Sequence, residues 1–159
     1  MLKDFYIAFS TISFTLLGLW FIVVQTRHAE WRGRALHRRR AYAVSLHFAL
    51  PGIMGLLSLV DPNSRTIWRA SFAVIAIGGV LVLVAVRGPA PGPLGLAAYA
   101  AAMAGYALIA LIAIAPSTVH DVGIDLTAAR VEAILLSSEV FLGANVAWLL
   151  MFDPIETRE

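Results

Sequence analysis

Acidic residues near the C-terminal end of the sequence are spaced seven positions apart: Asp125, Glu132, Glu139 and, with Val146 in between, Asp153. Seven residues are about two turns of an α-helix, so side chains at this spacing lie on nearly one line. Glu139 sits in an otherwise apolar stretch, ILLSSEVFLGANVAWLL. An acidic residue at membrane depth costs several kcal/mol and usually faces a polar cavity or a partner. Glu139 is therefore the leading candidate for a functional residue.

This line of acids is the arrangement that a cation path uses. Asp125 and Glu132 would concentrate cations in an outer vestibule, with Glu139 about 12 Å deeper than residue 131. On the same face, Val146 and Leu150 would form a short apolar gate. The sequence thus predicts an ion pathway along one helix, with Glu139 as the binding or selectivity site.

Each acid also has a structural interpretation. Asp125 stands near a helix end, where acids cap helices or are simply solvated. Glu132 is close enough in sequence to pair with Arg130. A protonated Glu139 bonded to a neighbouring helix would likewise need no transport role.

A second candidate, His47, lies in the stretch YAVSLHFALPGIMG. Pro51 predicts a kink one turn beyond it, which frees backbone carbonyls. A lone histidine is most often a packed residue, but near such a kink it can relay protons. Counting from the ends of their helices, His47 and Glu139 approach from opposite membrane faces, so a joint proton path would need bridging water.

The elements that must position these residues are membrane-spanning helices. Of the 159 residues, 60% are hydrophobic and only 14% are charged, whereas a soluble domain averages about one quarter charged residues. A helix needs roughly 20 apolar residues to cross the bilayer core. Five continuous stretches qualify, at 5–25, 41–60, 70–86, 94–115 and 131–152. The predicted fold class is all-α: one polytopic domain over 1–159 with five transmembrane helices.

Arginines set the predicted orientation. Six of them crowd the connection between the first two stretches: Arg27, Arg32, Arg34, Arg38, Arg39 and Arg40. The positive-inside rule puts this 27–40 loop in the cytoplasm, with the N-terminus outside and the C-terminus inside. With Arg87 and Arg158, eight basic residues then lie inside and four outside, which supports this topology. We expect a multi-pass protein of the plasma membrane. The loop should contact anionic headgroups, and nothing beyond its charge favours nucleic acid.

Enzymatic chemistry finds little support in the sequence. It contains no cysteine, no HExxH or GxSxG motif, and no pair of histidines on two spans that would hold haem. The only lysine, Lys3, stands at the terminus, which excludes an intramembrane Schiff base. We expect no cofactor and no catalytic site, and the identity of any metal ion stays open.

Three functions fit these observations. The leading hypothesis is a homo-oligomeric cation channel, since one copy has few helices to enclose a hydrated path and several copies would bring Glu139 into a ring. The second is a proton-coupled transporter or proton path that uses Glu139 and His47. The third is a non-conducting accessory or sensor subunit in which Glu139 binds a partner helix.

Overall fold

The computed structural model describes residues 2–61, 64–86 and 92–152, and every regular element within these ranges is helical. Two four-residue helices, α2 (His28–Trp31) and α6 (Thr118–Asp121), lie in the connections. Five long helices are α1 (Leu2–Thr26), α3 (Ala35–Val60), α4 (Arg65–Val86), α5 (Gly92–Ile114) and α7 (Ala128–Met151). All five are long and apolar enough to cross a membrane. The predicted all-α class and its five apolar helices are confirmed.

Each predicted stretch corresponds to one long helix, but all five of these helices begin earlier than predicted. The largest extension is in α3, which begins at Ala35 rather than 41 and includes the end of the arginine-rich segment. Helical hydrogen bonds form between backbone groups whatever the side chains, so a helix continues beyond its apolar part. Thr127 takes the N-cap position of α7 without a side-chain cap bond.

Helix α3 is the centre of the packing. It contacts α1, α4 and α7, while α5 packs against α4 and α7. Half of the apolar part of α3 is buried, against 22–33% for the other four long helices. The core around it includes Val44, Met54, Phe72 and Leu136, which are fully buried. Side chains that point inward from α3 are therefore enclosed by one chain.

Two features of α3 shape its contact with α1. Pro51 lies inside the continuous helix, and because proline has no backbone N–H, the carbonyl of His47 lacks its usual helical donor. One turn further on, a Cβ at Gly55 would overlap Ser10 Oγ of α1. The two helices thus approach closely where their residues are small.

The connection between α1 and α3 packs an aromatic group into the bundle. Trp31 of α2 is buried, with its ring centroid 6.2 Å from that of Trp20. The Trp20 indole donates to the carbonyl of Ala41 at 3.0 Å. These contacts tie the arginine-rich segment to the helix ends. Of the basic residues used to predict orientation, Arg87 and Arg158 lie outside the described residues.

Candidate functional site

A histidine and a carboxylate meet in the middle of the bundle. His47 Nδ1 of α3 lies 3.1 Å from Glu139 Oε2 of α7. Their side chains are only 5% and 3% exposed. The contact joins positions 92 residues apart in sequence. Two of the predicted site residues are therefore direct partners.

The expectation that His47 and Glu139 need bridging water was wrong. Each lies close to the middle of its helix: His47 is about 18 Å from the start of α3, and Glu139 about 17 Å from the start of α7. The apolar stretches had indicated shallower positions because both helices begin before their apolar parts do. The two side chains meet at the same depth.

Two glycines make room for the pair. A Cβ at Gly105 of α5 would overlap Glu139 Oε1, and a Cβ at Gly143 of α7 would overlap Cβ of His47. Any larger side chain at these points would push the helices apart or displace the pair. Gly105 is a site residue that the acidic pattern did not indicate.

Tyr106, which follows Gly105, covers the histidine ring. The two ring centroids are 6.2 Å apart and their planes 28° apart. The Tyr106 hydroxyl donates to the carbonyl of Leu46 at 3.3 Å, and Tyr106 is fully buried. This packing restricts the orientation of the imidazole that faces Glu139.

Glu132 is a second buried carboxyl on the same face of α7. It is 0% exposed, and neither of its oxygens has a hydrogen-bond partner in the part of the chain that the structure describes. The indole N–H of Trp68 is its neighbouring hydrogen-bond donor, although the two groups do not reach full hydrogen-bond geometry. The predicted local pairing with Arg130 does not form. Seven residues place Glu132 about 10 Å along the helix from Glu139.

Further polar atoms without partners lie on α1. The hydroxyls of Ser10 and Ser13 are buried and accept or donate no hydrogen bond within the described residues. They lie about 6 and 10 Å further along α1 than Tyr6, and Tyr6 interacts electrostatically with Glu132. The serines therefore occupy depths between the two glutamates.

The other predicted pathway residues have different environments. Asp125 is exposed in the connection before α7. Leu150 is buried and Val146 is partly buried against the core. Both residues follow Glu139 along α7, on the side away from Glu132. Asp153 lies outside the described residues. The predicted line thus runs along the inner face of α7 from Glu132 to Leu150.

The pair is suited to holding and passing a proton. In its neutral form the pair has one transferable proton between the facing atoms, present either as imidazole with carboxylic acid or as imidazolium with carboxylate. Transfer between the facing atoms interconverts these forms without solvent. Among the described residues, no group of three histidine or acidic side chains is placed to hold a metal ion. No protein-family model matches the chain, and no curated protein or solved structure is significantly similar to it.

Proposed function

We propose that this protein moves protons across a membrane through the interior of a single chain. The observation that carries the proposal is the buried contact between His47 and Glu139. Glu132 would act as a second protonatable station on the same helix face. The protein would then be a proton path or a proton-coupled transporter.

The cost of burying these groups supports a role in transport. Ionisable side chains inside a membrane are expensive, and they mark proton relays, ion paths or paired sites. Structural pairing accounts for Glu139, since His47 satisfies it, but not for Glu132, whose oxygens have no partner among the described residues. Two carboxyls about 10 Å apart on one face are better explained by a pathway.

A cation channel formed by several copies is the competing proposal. Its ring model requires Glu139 to face other copies, yet this side chain is 3% exposed and contacts His47 of its own chain. The burial therefore favours a path within one chain over a ring. Inward-facing Val146 and Leu150 would then limit access below the pair instead of gating a pore between copies.

The proposed setting is the plasma membrane, with the N-terminus outside and the C-terminus in the cytoplasm. The arginines of the 27–40 loop support this orientation by the positive-inside rule. They would contact anionic headgroups on the inner leaflet. In this orientation Glu132 lies toward the outer face and the pair lies near the middle.

Proton flux into liposomes tests the proposal. Purified protein is reconstituted with an interior pH dye, and a potassium gradient with valinomycin drives proton entry. We expect Glu139→Gln to reduce the flux to that of protein-free liposomes, because the amide keeps the shape but cannot exchange the proton. Glu30→Gln is the matched control, since Glu30 is an exposed residue paired with Arg27.

Three other results would contradict a proton path through His47 and Glu139. Sodium or potassium flux that depends on Glu139 would replace the proton path by the cation channel. No flux from a folded, monodisperse monomer would favour the accessory or sensor subunit. Equal proton flux from the native chain and Glu139→Gln would remove the pair from any pathway.

A further inference from the structure

A cavity of about 430 Å³ opens at the end of the bundle where α1, α4 and α7 begin. Its walls also include the last turn of α3, at Ser58, and the segment after α5, at Pro116. Pockets for small molecules commonly measure about 300–1,000 Å³. The cavity is therefore large enough for a compact organic ligand, and all five long helices or their flanking residues contribute to it.

Positive charge predominates around this cavity. Among the described residues, Lys3, Arg65 and Arg69 line it, together with one carboxylate, that of Asp61. Arg69 is held in position because it donates to the carbonyls of Ala113 at 2.8 Å and Ile114 at 2.6 Å. Three cationic side chains at one opening favour an anionic ligand over a cationic one.

The inner part of the cavity is aromatic. Tyr6 and Trp68 line it, and both pack against Phe72, with ring centroids 6.3 and 6.2 Å away. The walls thus offer apolar and aromatic contact to the body of a ligand.

We propose that this cavity binds an anionic group carried on an apolar body. A free aromatic carboxylate and an anionic lipid both have this chemistry. The anion contacts Lys3 and Arg65, and the apolar body lies against Tyr6 and Trp68. Binding itself stands on the cavity alone, whereas a role as the cargo of proton-coupled transport rests on the proposed function.

The location of the cavity connects it to the proposed proton path. Ala128 and Ala129 of α7 line the cavity, and Glu132 follows one helical turn deeper on the same face. A bound anion would therefore stand above the first buried carboxyl. A carrier that moves an anion together with a proton needs these two sites next to each other.

Calorimetric titration of the purified full chain with 2-naphthoate tests the binding site. 2-Naphthamide and 2-naphthylmethylamine, which keep the ring system but are neutral and cationic, are the ligand controls. We expect only naphthoate to bind well, and Arg65→Gln and Lys3→Gln each to weaken it about tenfold, the effect of one lost charged hydrogen bond. Arg130→Gln, which removes an exposed positive charge that does not line the cavity, should leave the affinity unchanged.

The same titration in nanodiscs separates the two sources of the ligand. Competition by phosphatidylglycerol that Arg65→Gln abolishes would identify the ligand as lipid, and no competition would identify a free anion. Equal binding of the amine and the carboxylate would overturn the proposal. So would equal weakening by Arg65→Gln and Arg130→Gln, because the effect would then be one of surface charge.

The naphthoate titration and the proton-flux measurement test the two proposals separately. Naphthoate binding in a protein that conducts no protons would keep the anion site and remove the proposed function. Proton flux without naphthoate binding would keep the proposed function and remove the anion site.

Discussion

At the scale of single residues, the His47–Glu139 contact decides how the buried charge is tolerated. A buried ion pair adds little to stability compared with apolar residues, but removing one partner leaves a polar group without compensation. Each member of this pair therefore depends on the other. Glu132 is the contrasting case, because its oxygens have no partner among the described residues.

Removing the histidine should destabilise the protein more than removing both partners. We expect His47→Leu to lower the free energy of unfolding by about 3–5 kcal/mol, since it leaves Glu139 buried and unpaired. The double variant His47→Leu, Glu139→Leu should recover most of this loss. Reversible unfolding in mixed detergent micelles measures both values.

The single variant Glu139→Leu, measured beside His47→Leu and the double variant, completes a thermodynamic cycle. A coupling energy near zero would contradict the pairing, because independent sites give additive effects. Ser138→Leu is a suitable control on α7, since Ser138 is exposed and its hydroxyl donates to the carbonyl of Ile134 in its own helix.

At the scale of helices, small residues bring α3, α5 and α7 close enough for the pair to form. Gly105 of α5 and Gly143 of α7 lie directly against Glu139 and His47. In lipid, helices associate through close packing and interhelical hydrogen bonds, and small residues at the interface permit both. The site is thus a property of three helices held at short distance.

Gly105→Ala tests this close approach. Its Cβ would occupy the position of Glu139 Oε1, so the carboxyl must move away from His47 or the helices must separate. We expect a loss of about 1–3 kcal/mol in the free energy of unfolding, typical of overpacking, together with reduced proton flux. Unfolding and liposome flux are measured on the same preparation.

Gly78→Ala is the matched control. Gly78 lies within α4, and a Cβ there would meet none of the described residues within 4 Å. Alanine favours a helix over glycine by roughly 0.5–1 kcal/mol, so this variant should be slightly more stable and fully active. Equal behaviour of the two alanine variants would show that Glu139 does not need the space beside Gly105.

At the scale of the whole molecule, one chain encloses both buried carboxyls. Glu132 and Glu139 are 0% and 3% exposed, and His47, Tyr6 and Trp68 around them come from the same chain. A functional unit of one copy therefore contains every group of the proposed path.

Dilute reconstitution tests whether one copy is sufficient. At less than one protein per liposome on average, the fraction of active vesicles should rise in proportion to protein, because each copy carries a complete path. The fraction is counted by single-vesicle fluorescence. A steeper dependence would require several copies and would support the homo-oligomeric channel.

The sequence by itself determined the number and approximate limits of the apolar helices. A spanning helix is recognised from local composition, since roughly 20 apolar residues in a row suffice. It also identified Glu139 and His47 as candidates, because ionisable residues are conspicuous in apolar stretches. The short helices α2 and α6 gave no such signal and were missed.

Only the tertiary structure decided which residues meet. Lipid is as apolar as the core of the bundle, so the faces of a membrane helix differ little in hydrophobicity and do not reveal what they contact. The partner of Glu139 lies 92 positions away, and the space beside it comes from Gly105 on a third helix. Composition is a local property, whereas this site and the cavity exist only because separate helices pack together.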